Sequence, residues 1–426
     1  MNKPISVVRP TYLGRFQCVG GDCIEHCCAN WGITVDKASY KRYRQVADPV
    51  LKPLLKTNLE RIRQQPSDAA YAKFRLKSAT GQCGLLDDGG LCAIQNRLGA
   101  QALCYTCASY PRSAALVGGV RQVAGIPSCP EIARLAILDE GGIEFEQVEV
   151  KPNSLLAKLR YSEQLRPNRP GAPDRYFEVI NGFCMRLTCT RELPLWMRLV
   201  AMGMLLRQID QRVEQVQCDS IPGLIETFTG WIGNGECERQ LSALQVDYRQ
   251  TMLRILFDIS QARVYAGLKQ GGTFLTLLGQ AFEGLGMRAG EVDGQKTVAA
   301  EAALAAFSRA YRDYYRPVLG TEEQYLENYV LNYLFQQHFP FNGDGRLFES
   351  FQELAVKVGL LRFYLVGLAG YHRETFGRDH ALRLIYSFCR SYEHSRQFIP
   401  SIRQKLVEQD AGTLGMMAVL AGLPPA

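Results

Sequence analysis

The sequence lacks several features that would assign it to a common class of protein. Nowhere do eighteen consecutive apolar residues occur, so we expect no membrane-spanning helix and no membrane partner. The segment Met1–Pro10 has no apolar stretch of the kind that a secretory signal needs, so the chain is expected to be cytoplasmic. The formal net charge is +7, yet Lys and Arg are interspersed with acids, which argues against nucleic-acid binding. A mildly basic surface would instead suit an acidic protein partner.

Familiar catalytic signatures are also missing. The sequence contains no Ser-His-Asp, His-Glu-x-x-His or Walker pattern. A cofactor-binding domain of the Rossmann type should carry a Gly-x-Gly-x-x-Gly-like loop after a strand. Neither Val117–Val120 nor Gly367–Gly370 has that spacing and context. Any cofactor must therefore bind to another architecture, and we expect its site at the seam between the two regions described next.

The chain is long enough for two domains, and its pattern changes near residue 150. Residues 1–150 are rich in Gly and Cys, which predicts a loop-rich domain with short helices. The segment Gly142–Val150 alternates apolar and polar residues and predicts a strand, with Val117–Ile126 as its partner in a small hairpin. Residues 151–426 show helical periodicity, for instance over Pro194–Gln215 and Leu347–Glu374. We expect a mainly α protein, with a cysteine-cluster domain followed by an irregular α-helical bundle.

Cysteine is abundant and very unevenly distributed. Of fourteen cysteines, nine lie in the first 129 residues, and the other 297 residues carry five. The nine are Cys18, Cys23, Cys27, Cys28, Cys83, Cys92, Cys104, Cys107 and Cys129. Cytoplasmic thiols are kept reduced, so such a cluster predicts metal binding or catalysis rather than a disulfide framework.

The cysteine spacing favours an iron–sulfur site and leaves two alternatives open. Thiolates are soft ligands, and four of them suit either zinc or an iron–sulfur cluster. Nine sulfurs exceed what one [4Fe–4S] cluster needs, so either two sites exist or several cysteines are structural. A set of buried free thiols is the least favoured interpretation. His26, between Cys23 and Cys27, could be a ligand, but a role beside the ligands or at the surface is favoured.

The residues around the cysteines resemble a known group, the cysteine-cluster proteins described as zinc- or iron-chelating. The resemblance rests on Arg15–Cys18, Gly21–Cys23, His26–Cys28, Trp31–Ile33 with Asp36, Gly81–Leu86, Gly90–Gln95 and Cys104–Arg112. More narrowly, the chain resembles the bacterial flagellin lysine-N-methylases, which join such a cluster to a helical C-terminal region. That likeness rests on Gln324–Phe335, followed by Phe339–Phe341.

The resemblance implies transfer of a methyl group from S-adenosylmethionine to lysine side chains of flagellin, with a [4Fe–4S] cluster in the cysteine domain. One departure is notable. Radical S-adenosylmethionine enzymes usually carry Cys-x3-Cys-x2-Cys, whereas here Cys27 is followed directly by Cys28. The sequence does not decide between radical and polar transfer. The alternative function is a non-enzymatic metal-binding or redox module, with zinc or an iron–sulfur cluster, that docks a protein partner.

Three tyrosines are candidates for a lysine-binding channel in such a methylase. Tyr325, Tyr329 and Tyr333 are spaced at i, i+4 and i+8, and aromatic rings suit both the aliphatic stem and the charged end of lysine. The alternative is that they pack in the core of the bundle. Glu327 and Asp379 are either catalytic bases or solvated acids. Trp31, Tyr105 and Tyr110 adjoin the cysteines and are expected to shield them from water.

Overall fold

The computed structural model describes residues 4–29, 31–87, 89–165, 172–243, 249–265, 272–287, 300–320, 323–342, 346–394, 398–408 and 411–422. Within these residues all strands precede residue 166, and they form two sheets. In chain order, β1 to β8 are Ile5–Pro10, Thr34–Val35, Leu59–Arg61, Ala72–Phe74, Arg112–Val117, Val120–Gly125, Phe145–Val150 and Ser162–Leu165.

Helices supply most of the remaining regular structure, which confirms the prediction of a mainly α protein. The short helices α1 to α7 are Tyr12–Arg15, Lys37–Arg44, Leu51–Asn58, Ala93–Leu98, Tyr105–Ser109, Pro130–Ile132 and Leu155–Lys158. Helices α8 to α20 are Phe177–Thr188, Leu195–Glu214, Ile221–Gly233, Glu236–Ser242, Arg249–Tyr265, Thr273–Gly284, Ala300–Ala310, Arg316–Leu319, Gln324–Gln336, Leu347–His372, Arg378–Tyr392, Phe398–Glu408 and Leu414–Gly422.

The larger sheet corrects the predicted hairpin. Its strand order is β7-β1-β6-β5-β8, so β7 pairs with β1 and not with β6. The predicted strand in Gly142–Val150 exists, but its proposed partner pairs elsewhere. Strands β5 and β6 form the hairpin instead, because Gly118 and Gly119 both adopt positive φ, as a tight two-residue turn requires. Strand β1 then inserts between β6 and β7, a pairing between distant segments that local periodicity does not encode.

Two hydrophobic cores organise the chain. A small core between Ile33 and Cys104 is built around the antiparallel sheet β2-β4-β3. The larger core extends from Val7 to Leu420 and joins the five-stranded sheet to the helices. It therefore includes residues on both sides of position 150, and the division at that position stays a prediction.

Helix α17 is the centre of the larger core. It is buried on nearly all sides, which is typical of a helix surrounded by protein. By length and composition it would be long enough to cross a membrane, and 89% of its most apolar window is buried inside the protein. Gly367 on this helix lies so close to α13 that an added Cβ would be 2.5 Å from the Ala281 carbonyl oxygen.

Helix α16 attaches the helical region to the larger sheet through two asparagines. Asn332 accepts a hydrogen bond from the Tyr12 hydroxyl at 2.5 Å and donates to the Gly125 carbonyl at 3.2 Å. One helical turn earlier, Asn328 donates to the carbonyls of Ile137 and Asp139. Buried amides of this kind are stable only when their polar atoms are paired, so they fix the position of α16 on the sheet.

Candidate metal and cofactor site

Seven of the nine clustered cysteines line a single cavity of about 810 Å³. They are Cys18, Cys23, Cys27, Cys28, Cys92, Cys107 and Cys129. Cys83 and Cys104 are buried in the small core, against which Cys28, Cys92 and Cys107 pack. The fold thus gathers thiols from four separate segments around one space, as a shared ligand site requires.

The cysteines form two neighbouring sets. In the first set, Cys18, Cys23, Cys27 and Cys129, burial raises the pKa of Cys129 to about 12, and the thiolates of Cys27 and Cys23 add to this. The second set contains Cys28, Cys83, Cys92, Cys104 and Cys107. There burial raises the pKa of Cys83 to about 11, with contributions from Cys92 and Cys104. Crowded, desolvated thiols whose charges repel are what a metal centre relieves, because the metal supplies the compensating positive charge.

The two sets meet at consecutive cysteines. The Sγ atoms of Cys27 and Cys28 are 3.9 Å apart. The hydrogen bond between them lowers the pKa of Cys27 to about 7 and raises that of Cys28 far above its ordinary value. The pair therefore stabilises one thiolate, which is the form of cysteine that binds metal.

Three of the cysteines lie at the N-termini of short helices. Cys92, Cys104 and Cys129 are the N-cap residues of α4, α5 and α6. Backbone N–H groups of the first turn act to lower the thiol pKa, those of Gln95 and Ile94 at Cys92 and those of Ile132 and Glu131 at Cys129, although burial outweighs them. Such N–H groups stabilise thiolates and the sulfurs of bound clusters. Each of these three cysteines therefore directly precedes a short helix in the sequence.

The loops between the cysteines depend on glycine at two close approaches. Gly90 has φ +74°, and a Cβ there would lie 2.6 Å from His26 Nε2. Gly21 lies against the Gly89 carbonyl oxygen, where an added Cβ would be 2.9 Å away. The loop of the first four cysteines can therefore pack closely on the loop before Cys92, and His26 lines the cavity with them.

The donor set near the cavity consists mainly of cysteine thiols. Among the described residues, no three His, Cys, Asp or Glu side chains are already arranged around one ion position. The soft, all-sulfur character of the nearby ligands suits iron–sulfur chemistry and also admits zinc. The metal and its ligand set stay predictions.

The walls of the cavity combine apolar and cationic side chains. Apolar and aromatic residues include Phe16, Val19, Trp31, Ile33, Leu86, Leu103, Tyr105, Tyr110, Pro111 and Leu155. The cations are Arg42, Arg112, Lys158 and Arg160, against the carboxylates of Asp36 and Glu131. The Arg160 guanidinium lies 4.1 Å from the Tyr105 ring centroid, and Arg112 lies 5.0 Å from that of Phe16. Trp31, Tyr105 and Tyr110 thus line the cysteine cavity, whereas sequence patterns gave no indication of the cationic wall.

Asp36 has a structural role in this wall. Its carboxylate caps α2 by accepting from the Ser39 N–H at 2.9 Å, and it accepts from the Tyr105 N–H at 3.0 Å. Burial opposes its ionisation, but these backbone hydrogen bonds outweigh burial and lower its pKa. Asp36 thereby fastens the segment after Cys104 to α2.

The three candidate tyrosines do not line the cysteine cavity. Tyr325, Tyr329 and Tyr333 are buried in the larger core. The Tyr329 hydroxyl donates to Glu393 at 2.9 Å, and the Lys357 ammonium donates to the Tyr333 hydroxyl at 3.2 Å. This packing favours the core interpretation, and a role in a lysine channel stays a prediction.

The two candidate bases have different environments. Glu327 is buried and accepts from Arg198 at 2.7 Å and from Arg191 at 2.9 Å. It is therefore neither solvated nor free to take a proton from a substrate. Asp379 is exposed on α18, as the alternative interpretation expects.

The comparisons with known proteins connect this architecture to a family. Residues 181–420, more than half of the chain, match the model of the FliB lysine N-methylase C-terminal domain. The chain belongs to the FliB lysine N-methylase family. The prediction from the cysteine motifs and the Gln324–Phe335 segment is thereby confirmed at the level of the family.

Curated relatives of the FliB family match shorter stretches. The flagellar biosynthetic protein FliU of Salmonella muenchen is 37% identical over 111 residues, which are 26% of this chain and 64% of FliU. The lysine-N-methylases of Salmonella typhimurium LT2 and Salmonella choleraesuis SC-B67 are 34% and 33% identical over 146 residues. Those matches cover 34% of this chain and 36% of each relative. The chain thus spans less than two thirds of these relatives, and no solved structure matches it.

Proposed function

We propose that this cytoplasmic protein transfers methyl groups from S-adenosylmethionine to lysine side chains of flagellin, with an iron–sulfur cluster held by the cavity cysteines. The observation that carries the proposal is the convergence of seven cysteines on one cavity in a member of the FliB family. The names of the relatives, lysine-N-methylase and a flagellar biosynthetic protein, support the reaction and the flagellar substrate.

The size and charge of the cavity suit a methyl donor beside the cysteines. A volume of about 810 Å³ falls in the range of small-molecule and cofactor sites. Arg42, Arg112, Lys158 and Arg160 would attract the carboxylate of the amino-acid part of S-adenosylmethionine. Aromatic faces such as that of Trp31 would hold its sulfonium charge through cation–π attraction.

The same wall favours the reactive form of lysine. Methyl transfer to an amine needs its lone pair, and an ammonium has none. An apolar wall disfavours the charged form, and nearby guanidinium groups disfavour it further, so both lower the pKa of an entering lysine. Phe16, Trp31 and Pro111 would supply the desolvation, and Arg112 and Arg160 the repulsion.

The cysteines of the cavity would hold the cluster, which supplies one-electron redox chemistry when bound. Cys23, Cys27 and Cys129 of the first set, and Cys28, Cys92 and Cys107 of the second, present sulfur to the cavity. Their helix-start N–H groups and the apolar wall would tune that centre by hydrogen bonding and by excluding water.

A protein substrate would meet an apolar rim at the mouth of the cavity. Val19, Trp31 and Leu155 line the cavity and are also exposed to solvent, each by 38% or more. Exposed apolar side chains grouped at a site often mark contacts with another protein. A flagellin segment could place apolar side chains on this rim while its lysine enters.

The test combines metal analysis with a methylation assay. Protein purified without oxygen should be brown and contain iron and sulfide, and with S-adenosylmethionine it should add methyl groups to flagellin lysines, detected by mass spectrometry. C27S and C129S should lose metal and activity. C189S is the matched control, because Cys189 is an exposed cysteine outside the cavity. A colourless zinc protein would contradict the cluster. A loaded protein that leaves flagellin unmodified would contradict the methylase and favour a docking module.

A further inference from the structure

Helix α18 of the methylase domain and the residues directly after it present three polar side chains to the cysteine loops. Tyr386 and Arg390 are one turn apart on α18, and His394 follows two residues after the helix ends at Tyr392. The Arg390 guanidinium lies 5.1 Å from the Tyr386 ring centroid. His394 Nε2 is hydrogen-bonded to Ser128 Oγ at 2.9 Å, and Ser128 Oγ also contacts the Tyr110 hydroxyl at 3.1 Å.

Arg390 holds two cysteine-bearing segments at once. Its Nε donates to the Ser128 carbonyl oxygen at 2.7 Å, directly before Cys129. Its Nη2 donates to the Glu25 carbonyl oxygen at 3.0 Å, and its Nη1 forms an ion pair with Glu25 Oε1 at 2.7 Å. Glu25 lies between Cys23 and Cys27, and its carbonyl oxygen also accepts from Cys23 Sγ at 3.3 Å. One planar guanidinium thus joins the Cys23–Cys27 loop to the Cys129 turn.

The charge of Arg390 also reaches the first set of cysteines. The ion pair with Glu25 is only partly exposed, with 22% of the arginine side chain accessible, so water screens this charge incompletely. The guanidinium contacts the Glu25 carbonyl, two residues from both Cys23 and Cys27, and the Ser128 carbonyl, directly before Cys129. A cation so placed favours whichever state of a bound centre carries more negative charge.

We infer that Arg390 is a positioning residue that fixes the Cys23–Cys27 loop against Cys129 and raises the reduction potential of the centre bound there. This inference rests on the proposed function for the identity of the centre as an iron–sulfur cluster. The clamping of the two loops needs only the contacts above and holds for any metal. Through Arg390, the C-terminal helical region therefore helps to position the cysteine loops.

The experiment compares R390Q, R390K and R378Q in the full chain. R390Q should lower the reduction potential, because the reduced cluster is the more negative state and loses its cation. We expect about a tenfold change in the one-electron equilibrium, which is about 59 mV. R390K keeps the charge and should restore most of the potential, but an ammonium lacks the fork that reaches both carbonyls. R378Q removes an exposed arginine of the same helix, paired with Glu140, and should change nothing.

Hydrogen exchange of the metal-free protein provides a second readout that needs no iron. R390Q and R390K should both speed exchange in residues 18–29 and 125–131, and R378Q should not. An R390Q protein with the potential of the unmodified chain would overturn the inference, whatever its exchange. Unchanged exchange in R390Q would overturn the clamp. Absence of iron from the unmodified protein would instead refute the proposed cluster, and the exchange data would still decide the clamp.

Discussion

Ionisable side chains have different partners in the helical core and around the cysteine cavity. In the core, ionisable side chains are paired with each other: Glu327 with Arg198, and Glu323 with Arg362 at 2.6 Å. Around the cavity, by contrast, seven cysteines line open space, and none of them forms an ion pair with a cationic side chain among the described residues.

This difference separates stability from function. A buried group whose partners come from its own protein is satisfied, and breaking that pair costs stability. Groups that have shifted pKa values and face a cavity can bind a ligand from outside the protein. Such groups often mark a functional site. From this contrast we expect chemistry in the cavity and a structural role for the ion pairs of the core. Substitutions on either side of it can test this division.

The largest effect is expected from E327A. The change leaves Arg198, with only 2% of its side chain exposed, as an unpaired buried cation. Loss of one partner of a buried pair typically costs about 3–5 kcal/mol, so the free energy of unfolding should fall by that amount in denaturant titration. E140A, which breaks the exposed pair with Arg378, should cost at most about 1 kcal/mol. Equal losses in the two variants would show that the Glu327 pair is not the structural element we describe.

The buried Glu327–Arg198 pair also shows which features could not be predicted from the sequence. The uneven cysteines indicated a shared site, and their convergence on one cavity agrees with it, because an ordinary hydrophobic core would spread its thiols along the chain. Helical periodicity gave the long helices, such as Pro194–Gln215 for the observed Leu195–Glu214. Both signals are local.

Features that depend on distant contacts were not predictable. Strand β1 pairs with β7 across about 140 residues, so the expected partner of β7 was wrong. The sequence suggested that Glu327 is either a catalytic base or a solvated acid, because no nearby residue indicates its ion pair with Arg198. Arg390 follows Cys23 by hundreds of residues, and no spacing rule connects them. Asn328 and Asn332 were visible beside the tyrosine stripe, yet their bonds to the sheet required the fold.

Next in size is a pH effect at His338, which is buried beside the end of α16. Burial lowers the pKa of His338 from 6.5 to about 4. Between these values the unfolded chain binds a proton that the folded chain does not, so stability falls as pH drops from 6.5 towards 4. The loss from this group approaches about 3 kcal/mol.

H338N removes that titration and suits the positive φ of 53° at this position, because Asn tolerates the left-handed region. The unmodified chain should lose stability relative to H338N across pH 6.5 to 4, as measured by denaturant titration at several pH values. A constant difference between the two proteins over this range would mean that His338 is protonated in the folded state.

A smaller cost is expected at the contact between α13 and α17. A Cβ on Gly284 would overlap the Gly367 carbonyl oxygen and lie 2.5 Å from the Tyr371 nitrogen. Since backbone atoms cannot move aside easily, G284A should lower the free energy of unfolding by about 2–3 kcal/mol. G279A is the matched control, because Gly279 is exposed on the same helix with open space around it. Replacing glycine there should stabilise the helix by about 0.5–1 kcal/mol, so the two variants should change the melting temperature in opposite directions.

The smallest effect concerns the contact that joins the larger sheet to helix α16. The Tyr12 hydroxyl accepts from the Gly125 N–H at 2.9 Å and donates to Asn332, and Tyr12 is 2% exposed. Y12F leaves both groups buried without this partner, which should cost about 1–2 kcal/mol by denaturant titration. Y371F, at a tyrosine that is 38% exposed, should stay within about 0.5 kcal/mol of the unmodified chain. Because Tyr12 lies outside the cavity, Y12F should keep the metal content of the unmodified protein. Loss of metal in a Y12F protein as stable as the unmodified chain would mean that the cysteine site depends on the α16 contact as well as on Arg390. The separation of stability from function would then fail at this contact.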